Sequence, residues 1–339
     1  MRSAAEKWIR QRLRPVRSRV GRLRRAAGPP VRNASVSLVY HRAAQDPVDP
    51  WRLAVKPSHL SEHLQILAEY TRPLHASAMQ TARDQGRLPP RTTVLTFDDG
   101  YADLATEIAP RLERAGVPAT MFVVSQAVGR DREFWWDALA HALLSPDAGS
   151  GDLRLTIGER VWTWEVGAGP RAEVHKEVWT QIRSRPVAER DDLAEQVLSW
   201  AGLPLTARPS HRTLTPDELG HLAADPLVEL GAHTANHAWL AGLDTVGQRR
   251  EVEQGLTELE ALVSTPITSF AYPHGGWRDV GPTALAAVKQ AGFSTAFLVS
   301  PGRLRTGSDP YRLPRVFVED MDGEGLAALL WQFAGIRVG

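Results

Sequence analysis

What most constrains this chain is an alternation. Short apolar runs of β character are followed repeatedly by stretches with helical periodicity, the rhythm of a mostly parallel sheet covered by helices. The β-branched run from Ser35 to Tyr40 opens it. Leu60 to Tyr70 then has helical spacing, Thr93 to Phe97 is strand-like, Leu104 to Ala115 is helical, and Ala119 to Val124 is strand-like. The pattern resumes with strand Val228 to Ala232, helix Gln248 to Val263, strand Ile267 to Tyr272, helix Thr283 to Ala291, and strands Thr295 to Val299 and Arg315 to Val318. No glycine-rich phosphate loop follows any of these strands, which argues against an open nucleotide-binding sheet and for an α/β barrel. A chain of 339 residues accommodates one such barrel of roughly 200–250 residues plus extra segments.

The rhythm breaks between Gly129 and Arg212. A Phe134-Trp135-Trp136 cluster and an alternating stretch from Leu153 to Val166, turning at Gly158-Glu159-Arg160, predict an inserted α/β segment with a hairpin. The expected organisation is a basic arm over residues 1–34 and a barrel over 35–339, with the insertion at about 129–212.

In the arm, ten Arg and Lys residues between Arg2 and Arg25 face the single acid Glu6. Ile9, Leu13, Val16, Val20 and Leu23 recur at spacings of four and three, so a helix there would carry one apolar stripe amid arginines. Such a helix suits an anionic membrane surface. Pro15 interrupts it, and a solvated basic arm without a partner is the alternative. Over the whole chain charge is balanced, with 40 basic and 39 acidic residues, so nothing in the total points to nucleic acid. No apolar stretch approaches the roughly 18 residues of a spanning helix, and no secretory h-region is seen, so a cytoplasmic location, peripheral to the membrane at most, is the expectation. Cysteine is absent, so any metal site must use His and carboxylates.

Three motifs carry the chemistry. Thr96-Phe97-Asp98-Asp99-Gly100 puts two carboxylates at the end of an apolar strand, where barrel enzymes build their active sites. Adjacent carboxylates repel unless a cation or proton relieves them, so the pair points to a metal ligand beside a general base; a helix cap and turn is the competing reading. His233-Thr234-Ala235-Asn236-His237 follows a second strand and places two imidazoles four residues apart. Two His and one carboxylate with an open position match a catalytic Zn²⁺-type site, although His pairs also occur on solvated helices. Ser269-Phe270-Ala271-Tyr272-Pro273-His274-Gly275-Gly276 ends a third strand, and N–H groups near His274 and Gly275 could line an oxyanion hole or simply form a turn.

In order and strand context these segments resemble the polysaccharide deacetylases with a NodB-homology domain, also called carbohydrate esterase family four. Leu38-Val39-Tyr40-His41-Arg42 and Tyr311-Arg312-Leu313-Pro314-Arg315-Val316 look like the opening and closing strands of bacterial members. The resemblance implies a distorted (β/α)7 barrel, with Asp98 as general base, Asp99, His233 and His237 as ligands of a divalent metal, Zn²⁺ foremost, and Thr234, Pro273 and Gly275 as substrate or supporting contacts. Two departures stand out. Members often carry an Arg at the position of Ala271 that orients the base, and here Arg315 is the candidate replacement. Many also have a late His as general acid, yet no His follows His274. His41 is the preferred substitute, with a packed core histidine as the alternative. The implied function is removal of acetyl groups, N-acetyl foremost, from amino-sugar units of a glycan or glycolipid. O-deacetylation and a non-catalytic glycan-binding module are the alternatives.

Overall fold

The computed structural model describes residues 33–146, 148–167 and 170–338. The basic arm, and with it the expected amphipathic helix, lies outside the described residues. Among the described residues no helix is long and apolar enough to cross a membrane.

Seven strands form the central sheet: β1 Val36–Tyr40, β2 Thr92–Phe97, β3 Ala119–Val123, β4 Val228–Ala232, β5 Ser269–Ala271, β6 Thr295–Phe297 and β7 Val316–Phe317. Their order is β6-β5-β4-β3-β2-β1-β7, with every pairing parallel. The sheet curls until its edges nearly meet. One parallel bridge, Phe297 to Leu313, closes the gap, with Leu298 N donating to Leu313 O at 2.8 Å and Leu313 N to Ala296 O at 2.9 Å. The result is the distorted seven-stranded barrel.

Both faces of this sheet are covered, which is why its strands are continuous apolar runs. Along β2, Leu95 and Phe97 pack outward beneath the helices, while Val94 faces a smaller interior cluster with Phe122, Phe297 and Leu313. Pairing register sets the functional end of the barrel. Tyr40 lies opposite Phe97, and Val123 opposite Ala232, so His41, Asp98 and His233, each the residue after a strand, emerge at the same rim.

The insertion contains a helix Trp135–Leu144, an antiparallel hairpin of Gly151–Ile157 with Arg160–Val166, and helices Arg171–Ile182 and Val187–Trp200. Pairing of Ile157 with Arg160 leaves Gly158 and Glu159 as the two turn residues, Gly158 at φ +62°. Its apolar side chains, among them Leu139, Leu143, Leu155, Val178 and Val197, form a core of their own. That core meets the barrel through Tyr101, Val124 and Phe134.

Helix Thr245–Val263, capped by the Asp244 carboxylate accepting from Gly247 N at 2.7 Å, lies directly behind the His233 to His237 loop. Glu251 holds that loop: its carbonyl accepts from Ala235 N at 3.0 Å, and its carboxylate from Asn236 N and Nδ2, both at 3.0 Å. Gly255 makes the approach possible, because a Cβ there would stand 2.6 Å from Thr234 C and 2.7 Å from Ala235 N. Replacing a helical Gly by Ala ordinarily stabilises by about 0.5–1 kcal/mol. Here the clash with backbone wins, and Gly255→Ala is expected to destabilise by about 1–3 kcal/mol in denaturant unfolding.

Candidate functional site

Asp98, Asp99, His233, His237, His274 and His41 share one cavity of about 170 Å³ at the barrel rim, bounded by Trp51, Leu53, Trp136, Trp179, Val299 and Phe317. Thr234, Pro273 and Gly275 do not line it. Their part is to shape the loops that do.

Asp98 is 1% exposed and is gripped by Arg315, which is fully buried inside the barrel. The guanidinium donates from Nη1 to Oδ1 at 2.6 Å and from Nη2 to Oδ2 at 2.7 Å. Its remaining donors reach Thr96 Oγ1 at 3.0 Å and Leu298 O at 3.1 Å, and the Phe122 and Phe297 rings flank it. Burial alone would raise the Asp98 pKa. The opposing charge of Arg315, aided by His233, the Arg315 hydrogen bonds and His41, outweighs it and holds Asp98 below the ordinary carboxylate value.

Asp99 turns the other way, its backbone at φ +80°. His233 Nε2 stands 3.5 Å and His237 Nε2 3.4 Å from Asp99 Oδ1, and the three side chains offer ligand atoms all within 4.8 Å of one another. His233 Nδ1 donates to the carbonyl oxygen of Ala271 at 2.7 Å, which leaves Nε2 turned to the site. Burial first, then the charges of His233 and His274, push the His237 pKa well below the usual value, so the His237 imidazole is neutral. Asp99 Oδ1 is buried with no hydrogen-bond partner among the described residues. Three side chains able to act as ligands thus converge on one point, an arrangement suited to a divalent cation. The residues present fit such an ion.

His41 lies at the end of β1, its ring 5.4 Å from Phe317, and its buried Nδ1 has no partner among the described residues. His274 packs its ring 5.1 Å from that of His237 and edge-on to Trp179 at 6.2 Å. Burial, followed by the charge of Arg183, lowers its pKa to about 3. One expectation from the third motif needs correction. Gly275 N–H is not free to face the cavity, because positive φ at both His274 and Gly275 folds the turn back and Gly275 N donates to Pro273 O at 2.7 Å. The His274 N–H is the remaining candidate of that pair.

Strain concentrates here: Asp99, Thr234, His237 and His274 are four of the eight non-glycine residues with positive φ among those described. Each costs about 1–3 kcal/mol and persists because its surroundings over-determine it. For the His237 loop, part of that surrounding comes from the insertion. Arg190, 3% exposed, donates to Asn236 O at 3.1 Å and to His237 O at 3.4 Å, while Trp136 packs 4.6 Å from the His237 ring. Sequence reading missed Arg190, Trp51 and Trp179 because nothing local distinguishes them; Trp136 was visible only as part of an aromatic cluster.

The chain matches the family described as Polysaccharide deacetylase over residues 85–296, more than half its length, and it belongs to that family. The match takes in the three motifs but stops short of β1 and β7, where His41 and Arg315 stand. Among curated proteins the chain is similar to the poly-beta-1,6-N-acetyl-D-glucosamine N-deacetylase of Escherichia coli strain K12, at 23% identity over 293 residues. That similarity covers 84% of this chain and 37% of the relative, so the chain spans little more than a third of that protein's length. Its fold is similar to that of Streptococcus pyogenes deacetylase PplD, with a TM-score of 0.57 and 17% identity over 88% of this chain and 97% of that one. IcaB from Ammonifex degensii gives 0.57 and 18%, covering 89% and 98%.

Because Arg190 holds the carbonyls of Asn236 and His237 beside this candidate metal centre, Arg190→Met is expected to weaken Zn²⁺ binding by about 10–100-fold, the range for lost supporting contacts at a metal site. Isothermal titration with Zn²⁺ measures this directly. A change confined to unfolding temperature would assign Arg190 to packing alone.

Proposed function

We propose that the protein is a metal-dependent hydrolase that removes N-acetyl groups from amino-sugar units of a polysaccharide, oligosaccharide or glycolipid. One observation carries the reading: an arginine-gripped carboxylate, Asp98, stands beside three converging ligand side chains in a single rim cavity. Family membership supports it, as does the N-deacetylase named among the relatives. Asp99, His233 and His237 would hold the ion, and two imidazoles with one carboxylate favour Zn²⁺. When bound, such a cation supplies Lewis-acid chemistry, polarising an acyl oxygen and making water acidic enough to attack near neutral pH.

The chain's own residues do the rest. Asp98, ionised, accepts the proton of the attacking water; the Arg315 fork uses one lone pair on each carboxylate oxygen and leaves another free. In this reading the His274 N–H donates to the developing oxyanion. An amine leaves an amide only after protonation. His274, held neutral by burial, is a poor imidazolium donor, so His41 takes the role of general acid. The apolar walls of Trp136, Trp179 and Phe317 exclude water around the acyl group.

Acetate release from N-acetylhexosamine oligomers, abolished by chelator and restored by Zn²⁺, tests the reading. Asp98→Asn is expected to lower turnover by about 10²–10⁴ while Zn²⁺ stoichiometry, read by elemental analysis, stays near one. Wild-type turnover in that variant would move the base elsewhere. In a separate comparison, His41→Ala should depress amide hydrolysis much more than hydrolysis of an activated acetyl ester, whose leaving group needs no proton. Equal losses on both substrates would make His41 a packing residue.

A further inference from the structure

Arg183 follows the insertion helix Arg171–Ile182, and its guanidinium is stacked between two indoles. It lies 4.7 Å from the ring centre of Trp179 and 4.3 Å from that of Trp239. Trp179 lines the cavity, where its ring also contacts Trp51 at 4.6 Å and meets His274 edge-on. Trp239 follows the His233 to His237 loop and is anchored through Nε1 to Asp279 Oδ1 at 2.9 Å. The guanidinium is therefore clamped where the insertion faces the barrel rim, at the edge of the cavity.

Stacking satisfies the two faces of a guanidinium but not its edge, which carries all five N–H donors. At this edge no carboxylate among the described residues comes within ion-pair distance, and the buried Nε has no acceptor. Asp279, beside Trp239, accepts a hydrogen bond from the Trp239 indole at 2.9 Å. Other arginines around the site are paired: Arg42 with Asp46 and Asp103, Arg208 with Glu133, Arg315 with Asp98. Arg183 is held in one orientation with its donors unspent, which is how a binding site for a planar or tetrahedral oxyanion is prepared.

We infer that Arg183, clamped by Trp179 and Trp239, receives an acidic group, a carboxylate or a phosphate, carried by the substrate within one sugar unit of the acetamido group. The assignment of the neighbouring cavity to that acetamido group rests on the deacetylase reading; the anion subsite itself does not. The preferred substrate is then an anionic glycan or a phosphate-linked sugar, because a neutral one leaves the guanidinium edge unpaired.

Tryptophan fluorescence of the full chain provides the test, since an occupant of this subsite touches two indoles. The probes are N-acetylglucosamine 1-phosphate, a disaccharide of N-acetylglucosamine with glucuronic acid, and neutral diacetylchitobiose. Wild-type protein should bind at least one acidic probe about tenfold more tightly than the neutral one, with the advantage shrinking as salt is added. Which acidic probe binds distinguishes phosphate from carboxylate. Arg183→Gln should abolish the preference while leaving neutral binding intact, and Arg183→Lys should keep part of it. Equal wild-type affinity for acidic and neutral probes, or equal losses on both in the Gln variant, overturns the inference. Acetate release from the same probes reports separately on the deacetylase reading: acid-selective binding without any acetate would sink that reading and leave the subsite standing.

Discussion

The buried pair of Arg315 and Asp98 is the interaction on which the rest of the site depends. A fully buried guanidinium inside a barrel is costly unless its donors are met, and here four of the five are: two by Asp98, one by Thr96 and one by the Leu298 carbonyl. Those partners come from β2 and from the chain just beyond β6, while Arg315 itself leads into β7. The ion pair thereby spans the region where the curled sheet closes. Buried ion pairs are weak evidence for stability, because removal of the charges from water offsets the attraction between them. What this one fixes is geometry and charge state: Asp98 stays ionised in a dry interior.

With Asp98 committed to the barrel interior, Asp99 is left to face the imidazoles, and the backbone turns sharply between the two acids. Similar turns at His237 and His274 show how much of this site stands on strained backbone. The strain is supported from two sides. Behind the loop, helix Thr245–Val263 comes close because residue 255 has no side chain, and Glu251 takes up the loop's donors. In front, Arg190 takes up its acceptors. An inserted segment with its own core thus serves as the second half of a clamp on the His233 to His237 loop, and it also supplies Trp136 and Trp179 to the wall of the cavity.

Much of this was legible in the sequence, and the reasons are local. The alternation of strand-like and helical runs fixes a parallel sheet because side-chain periodicity follows from backbone geometry. Val228–Ala232 was readable residue for residue, and the carboxylate pair and the two histidines were found because each directly follows an apolar run. The resemblance to a family that often carries an Arg where this chain has Ala271 made Arg315 the candidate replacement, and its guanidinium does meet Asp98. The third motif was legible only as a Pro-Gly turn, and which of its N–H groups remains free depended on the φ angles at His274 and Gly275.

The sequence by itself thus determined the class of fold, the succession of strands and helices along the chain and the residues that meet in the rim cavity, because these reside in runs of a few neighbouring residues. Tertiary structure alone decided which distant groups complete the site. Arg190 meets His237 across 47 positions and Trp51 meets Trp179 across 128, and only the fold brings the candidate Arg315 to Asp98 across 217. Those contacts depend on pairing register, on the curl that closes the sheet and on how the insertion docks. None of these leaves a local pattern, because each is set by the packing of whole elements rather than by the spacing of residues along one of them.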